Sequence, residues 1–149
     1  MAEQTGGGIR VTLRWIQILD KMEPTWKEVG EFRFQTRVST AGGTQEFHFP
    51  ETGHYEISDH PAWNKLLLNR VIYEGPATER MTIELMGEEI DTFSANDLLD
   101  HYQREFTGPA ESWFGWYGPG EDVPPEMYKR SEDPEMMDKW RVCYMIQPD

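Results

Sequence analysis

The sequence predicts an all-β protein, an antiparallel β-sandwich of about eight strands. Three observations predict this fold. Apolar residues alternate with polar ones in several short segments, turn residues separate these segments, and helical patterns are few. The chain has 149 residues, a length that fits one domain with one core. We therefore expect a disordered tail at residues 1–8 and a single sandwich domain at residues 9–149.

The clearest strand signals lie in the first third of the chain. Apolar residues alternate from residue 9 to residue 15, and Ile16, Ile18 and Leu19 then continue the apolar segment, which predicts the first strand. Phenylalanine, threonine and valine alternate with arginine and glutamine over residues 32–38, a pattern typical of a sheet with one wet face. The run AGG at residues 41–43 then precedes a second alternating segment, which predicts a hairpin.

Two later segments are less regular. In residues 94–106, Ser94 and Asp97 have the spacing of a capping box, so a short helix is an alternative to a strand there. Residues 107–139 hold five of the ten prolines and four of the thirteen glycines, which predicts a long, partly ordered excursion. The apolar run at residues 140–147 predicts the closing strand.

Composition limits the classes of partner and compartment. The net charge of −13 opposes nucleic-acid phosphates, so we expect no nucleic-acid partner. The single cysteine, Cys143, lies in an apolar run, which predicts a buried, inert thiol rather than a disulfide. No apolar run approaches the roughly 20 residues that span a bilayer, and the N-terminus lacks the features of a secretory signal. We expect a cytoplasmic protein without a transmembrane segment.

An acidic stretch follows the apolar segment at residues 81–87. Glu89, Asp91 and Asp97 lie close together in sequence, and three carboxylates can serve calcium, which takes six to eight oxygen ligands in irregular geometry. The spacing excludes an EF-hand, because Phe93 would occupy the third position of its loop and no glycine stands at the sixth. A solvated acidic loop is the alternative.

Residues 60–102 resemble the central part of C2 domains, the calcium-dependent lipid-binding modules of protein kinase C and the synaptotagmins. The segment HPAWNK stands where the family has Asn-Pro-x-Trp-Asn-Glu, MTIEL stands for the following strand, and the acids above stand for the third calcium-binding loop. The resemblance implies an eight-stranded sandwich and a buried Trp63. Since few residues precede the first strand, it also implies the permuted type II topology, in which the last strand lies beside the first.

The same resemblance implies the calcium ligands. In the family the first loop contributes two more acids, and Asp20 and Glu31 stand in the matching places. The implied metal set is therefore Asp20, Glu31, Glu89, Asp91 and Asp97. Glutamate replaces aspartate at two of these positions and the loops are longer than the family's, so the resemblance implies weak calcium binding.

Aromatic residues cluster in the segment SWFGWYGPG. Trp113, Phe114, Trp116 and Tyr117 lie between glycines, and such a cluster can form a surface that binds a partner, stacks on sugars or inserts into a membrane. A hydrophobic plug over one end of the sandwich is the alternative.

Catalytic and zinc motifs are absent from the sequence. His48, His54 and His60 are evenly spaced, but this spacing does not bring side chains together in a hairpin region and differs from that of zinc enzymes. No nucleophile elbow and no phosphate-binding glycine loop is present. We therefore expect no enzyme activity.

Two main hypotheses of function remain, with a third behind them. The first is a C2-like binding module that uses calcium to contact a membrane surface or a protein partner. The second is a calcium-independent interaction or assembly scaffold on the same sandwich. The third, a carbohydrate-binding sandwich, rests on the aromatic cluster alone.

Overall fold

The structure is a computed structural model. It describes residues 7–19, 29–58, 64–90, 97–118 and 139–149, and of Val29 and Asp97 it describes the backbone.

Nearly all described residues outside the turns belong to β-strands. The strands are β1 (Gly8–Ile18), β2 (Val29–Thr40), β3 (Gly43–Phe49), β4 (Tyr55–Ser58), β5 (Lys65–Pro76), β6 (Arg80–Glu89), β7 (Asp97–Leu98), β8 (Tyr102–Thr107), β9 (Gly115–Tyr117) and β10 (Trp140–Pro148). One short 3₁₀ helix, Ala110–Trp113, precedes β9. The described residues include no α-helix.

The strands form two antiparallel sheets that pack against each other. The first sheet has the order β5-β1-β10-β9. The second has the order β3-β2-β6-β7, while β4 also pairs with β2 and β8 also pairs with β6. The predicted antiparallel β-sandwich is confirmed. The described strands number ten because each outer edge of the second sheet consists of two separate strands.

The last strand lies beside the first, as predicted. Arg10 pairs with Gln147 and Gln17 pairs with Arg141, so β10 follows β1 along most of its length. Since β10 also pairs with β9, it occupies an interior position in the first sheet.

Alternation of side chains builds the core between the sheets. Every second residue of β6 from Met81 to Leu85 is buried, and Phe32, Phe34 and Val38 of β2 face the same way. Across the layer, Phe34 stacks on Trp140 with ring centroids 5.7 Å apart. Such aromatic packing contributes about 0.5–1.5 kcal/mol beyond the burial of area.

The helix that the capping-box spacing predicted does not form over the described part of residues 94–106. Residues 97–98 and 102–107 are strands that pair with β6. Tyr102 and Phe106 are buried whereas Gln103 and Glu105 are exposed. Pairing to β6 with burial of these two rings outweighs the weak local helix signal.

The excursion predicted at residues 107–139 is partly ordered where the structure describes it. Its first part contains the 3₁₀ helix and β9. Residues 119–138 lie outside the described residues, as do residues 1–6 of the predicted tail, Asp20, Asp91 and Trp63.

Candidate functional site

Three connections between strands start and finish at one end of the sandwich, which we call the loop end, and a fourth finishes there. In the first sheet, Ile18 pairs with Trp140 and Gln17 with Lys65. In the second sheet, Glu89 pairs with Asp97. The two sheets are joined here, because the backbone N–H of Lys139 donates to Oδ2 of Asp100 at 2.7 Å. The strand ends that flank residues 20–28, 59–63 and 91–96 therefore lie at the loop end, as does the start of β10, which follows residues 119–138.

Glu89 places a carboxylate inside the sandwich at the loop end. The alternation of β6 turns this last residue toward the core, and its side chain is fully buried. A Cβ added to Gly30 would lie 2.5 Å from Oε2 of Glu89, so the absence of a side chain on β2 makes room for the carboxylate. A carboxylate in such a position must be neutralised or hydrogen-bonded, since burial of an isolated charge is very costly.

Glu31 points to the other face of the same sheet. Phe32 and Phe34 face the core, so Glu31 between Gly30 and Phe32 faces outward. Its carbonyl oxygen accepts a hydrogen bond from the backbone N–H of Ile90 at 2.7 Å. Glu31 and Glu89 are therefore close along the backbone but do not converge. The implied ligand set must lose Glu31, because neighbouring positions on paired strands alternate between the two faces of a sheet.

The other implied ligands are only partly described. The backbone of Asp97 pairs with Glu89, while Asp20 and Asp91 lie outside the described residues. Calcium coordination by Asp20, Glu89, Asp91 and Asp97 stays a prediction.

The aromatic cluster divides between the core and the surface. Trp113 and Tyr117 are buried, and the Tyr117 hydroxyl donates to the Trp113 carbonyl oxygen at 2.6 Å. Phe114 is half-buried and packs against the core. Trp116 is half-buried on the outer face of the first sheet, where the Arg14 guanidinium lies 4.8 Å from its ring centroid. Trp113 and Tyr117 are thus unavailable to a partner, contrary to the prediction, because the core needs their large apolar area.

The outer face of the first sheet combines apolar and cationic side chains. Leu67 is 69% exposed and Val71 is 39% exposed, both on the edge strand β5. Arg14 and Arg141 lie on the same face. We call the surface formed by Leu67, Val71, Trp116, Arg14 and Arg141 the basic–apolar face. A face whose named charged residues are both arginines is unusual for a chain with a net charge of −13.

A mixed cluster lies on the outer face of the second sheet. Glu31, His54 and Glu56 each offer one polar atom, and these atoms lie within 4.8 Å of one another. Nε2 of His54 is 3.4 Å from Oε2 of Glu31. We call these three residues the Glu–His–Glu cluster.

The spacing of the histidines in the sequence does not predict this cluster. His48 is exposed outside the cluster, and His60 lies outside the described residues. The useful signal is His54 two residues before Glu56, at the start of the short strand β4, combined with the pairing of that strand to β2. Sequence alone does not reveal that pairing.

Cys143 is buried and forms no disulfide, as predicted. The described part of the chain contains no helix long and apolar enough to cross a membrane.

No protein-family model matches the chain, and no curated protein matches it significantly.

Proposed function

We propose that this chain is a non-enzymatic binding module on a C2-like sandwich, and that it binds calcium at the loop end. The strand order supports the proposal. If β3 with β4 and β7 with β8 are each counted as one interrupted edge strand, the sandwich has two sheets of four positions with the first and last strands adjacent. The resemblance in residues 60–102 implies an eight-stranded sandwich with the last strand beside the first.

One observation carries the calcium proposal. The strands that precede the two acidic segments, β1 before residues 20–28 and β6 before residues 91–96, both end at the loop end. Glu89 also has its carboxylate at the loop end, and we expect Asp20, Asp91 and Asp97 to join it in binding the ion. A calcium ion bound by these acids lowers their mutual repulsion and can bridge to a lipid phosphate of an anionic membrane.

Thermal unfolding with calcium and with chelator tests this function. We expect a dissociation constant of about 10⁻⁴ M, because glutamate replaces aspartate and the loops must be ordered. At about 100 times that concentration, binding stabilises the folded chain by about 2.7 kcal/mol. The doubly substituted variant Asp91→Asn/Asp97→Asn should lose the calcium-dependent rise in melting temperature.

The matched control removes two carboxylates from the opposite end of the sandwich. Glu79 and Glu111 are exposed there, so Glu79→Gln/Glu111→Gln removes the same number of negative charges and should leave the calcium response unchanged. A melting temperature indifferent to millimolar calcium would refute the calcium site. Binding of the calcium-loaded protein to phosphatidylserine vesicles, but not to neutral vesicles, tests the membrane step.

A second candidate function is calcium-independent binding of a protein partner at the basic–apolar face. In the part of the chain that the structure describes, Arg14 and Arg141 form no ion pair with a carboxylate. Nε of Arg141 is buried without a hydrogen-bond partner. Charge complementarity therefore favours an acidic partner segment with apolar residues.

An acidic segment fits this face better than a membrane does. Charges beyond about 8 Å are screened at physiological salt, so a short segment senses mainly the local cations. A broad anionic surface would also meet the acids on the rest of the molecule.

A labelled peptide that alternates glutamate with leucine is a suitable probe. Leu67→Glu/Val71→Glu should abolish its binding in chelator, whereas Leu98→Glu should not. Leu98 is 68% exposed on the second sheet, which makes it a close match to Leu67 in exposure. Equal peptide binding by Leu67→Glu/Val71→Glu and Leu98→Glu would show that the basic–apolar face is not the binding site.

The carbohydrate-binding alternative loses its basis. A stacking platform needs accessible rings. Two of the four aromatic residues in the cluster, Trp113 and Tyr117, lie in the core.

A further inference from the structure

The Glu–His–Glu cluster arises from the pairing of β2 with β4. Glu31 lies directly opposite Glu56 in the register of these antiparallel strands. His54 lies two residues before Glu56, and residues two apart in an extended chain point to the same face. The pairing thereby brings Glu31, from a distant segment of the chain, to His54 and Glu56 on the outer face of the second sheet.

The register opposes two carboxylates across the strands. Like charges directly opposite on antiparallel strands destabilise the pair. Arg33, two residues from Glu31 on the same face, donates to Oε2 of Glu88 at 2.7 Å. His54 lies close to both carboxylates, with its ligand atom within 4.8 Å of an oxygen of each. A cation held between Glu31 and Glu56 would remove the repulsion.

The distances suit a small divalent ion. Ligand atoms about 2.1 Å from a tetrahedral zinc ion are about 3.4 Å apart. The distance between Nε2 of His54 and Oε2 of Glu31 is 3.4 Å. The remaining atoms lie within 4.8 Å, so a small rotation of an exposed glutamate brings the third ligand into place.

We propose that Glu31, His54 and Glu56 bind a divalent transition-metal ion of the zinc class. One imidazole nitrogen with two carboxylate oxygens is a donor set that suits zinc and its neighbours. Calcium instead prefers six to eight oxygen ligands, and these three residues supply too few. Water completes the coordination, because His54 and Glu56 are exposed to solvent.

This metal site is separate from the proposed calcium site. Glu31 faces away from the core, whereas Glu89 faces into it. The two sites therefore share no described side chain, and either one can exist without the other. Zinc binding tests the Glu–His–Glu cluster, and calcium binding tests the loop end.

The experiment titrates the full chain with zinc in a calorimeter and with cobalt in a spectrophotometer. We expect one ion per chain, and cobalt absorption bands typical of four-coordinate geometry. His54→Ala and, separately, Glu56→Gln should each weaken zinc binding by about tenfold or more, since even an indirect partner of a metal ligand contributes about tenfold to a hundredfold. Millimolar calcium should not displace the zinc.

His48→Ala is the matched control, because His48 is an exposed histidine of the neighbouring strand β3 outside the cluster. It should bind zinc as the natural chain does. All three substitutions are on exposed positions, and amide spectra will show that the fold is kept. Absence of zinc binding at about 100 times a micromolar dissociation constant, or equal affinity in His54→Ala and His48→Ala, overturns the proposal.

Discussion

At the scale of single residues, the core depends on close contacts that a methyl group would disturb. Gly87 occupies an inward position of β6, and a Cβ there would lie 2.6 Å from Cδ1 of Leu99 and 2.8 Å from Cδ1 of Phe34. We expect Gly87→Ala to cost about 1–3 kcal/mol of unfolding free energy, as overpacking does. Urea unfolding measures it.

The control for Gly87→Ala is Gly42→Ala in the β2–β3 turn. The nearest atom to a Cβ at Gly42 is Oγ1 of Thr40 at 3.5 Å, an ordinary contact. This variant should be close to the natural chain in stability. Equal costs for the two substitutions would contradict the crowding of Gly87.

A buried tyrosine predicts alkaline destabilisation. The hydroxyls of Tyr102 and Tyr144 are hydrogen-bonded in the core, and burial, with the neighbouring Tyr102, raises the pKa of Tyr144 well above its ordinary value. The folded chain therefore keeps this proton when the unfolded chain releases it. Stability should be unaffected below about pH 10 and should fall above it, by up to about 1.4 kcal/mol per pH unit for this proton.

The variant Tyr144→Phe isolates this effect. It removes the titrating group, so its stability should decline less steeply above pH 10 than that of the natural chain. Parallel slopes in the two proteins, measured by urea unfolding at several pH values, would show that Tyr144 does not contribute.

At the scale of elements, Asp100 connects the two sheets at the loop end. Its carboxylate accepts from the Lys139 backbone N–H, and its carbonyl oxygen accepts from Nε1 of Trp140, both at 2.7 Å. We expect Asp100→Ala to cost about 1.5–3 kcal/mol, the range for a hydrogen bond to a charged group. Asp100→Asn, which keeps an acceptor, should cost less.

Glu105→Ala is the comparison for Asp100→Ala. Glu105 lies shortly after Asp100 in the chain. Its Oε2 forms an exposed ion pair with Nε of Arg80 at 3.1 Å. Exposed pairs contribute about 0–1 kcal/mol. A melting temperature lowered more by Glu105→Ala than by Asp100→Ala would contradict the connecting role of Asp100.

At the scale of the whole molecule, the first sheet depends on its last strand. β10 pairs with β1 on one side and β9 on the other, and it buries Trp140, Val142, Tyr144 and Ile146. A chain that ends at residue 138 should therefore lose cooperative unfolding and near-ultraviolet circular dichroism. Removal of Asp149 alone, which loses an exposed ion pair with Arg10, should leave both intact. Cooperative unfolding of the shorter chain would show that the sandwich closes without β10.

The sequence by itself determined the fold class, because alternation is a local property. The inward positions of β1, β2 and β6 can be identified residue by residue from a period of two. Burial of Cys143 could also be predicted, since it lies in an apolar run. The adjacency of the first and last strands followed from the resemblance in residues 60–102.

Only the tertiary structure decided which polar side chains meet. Glu31 and Glu89 look like members of one acidic set in sequence, yet they lie on opposite faces, while Glu31 meets His54 and Glu56 instead. The burial of Trp113 and the strand at Tyr102 also depended on distant partners. The physical reason is register, since a shift of one residue between paired strands reverses every face, and residues far apart in the chain set that register through packing.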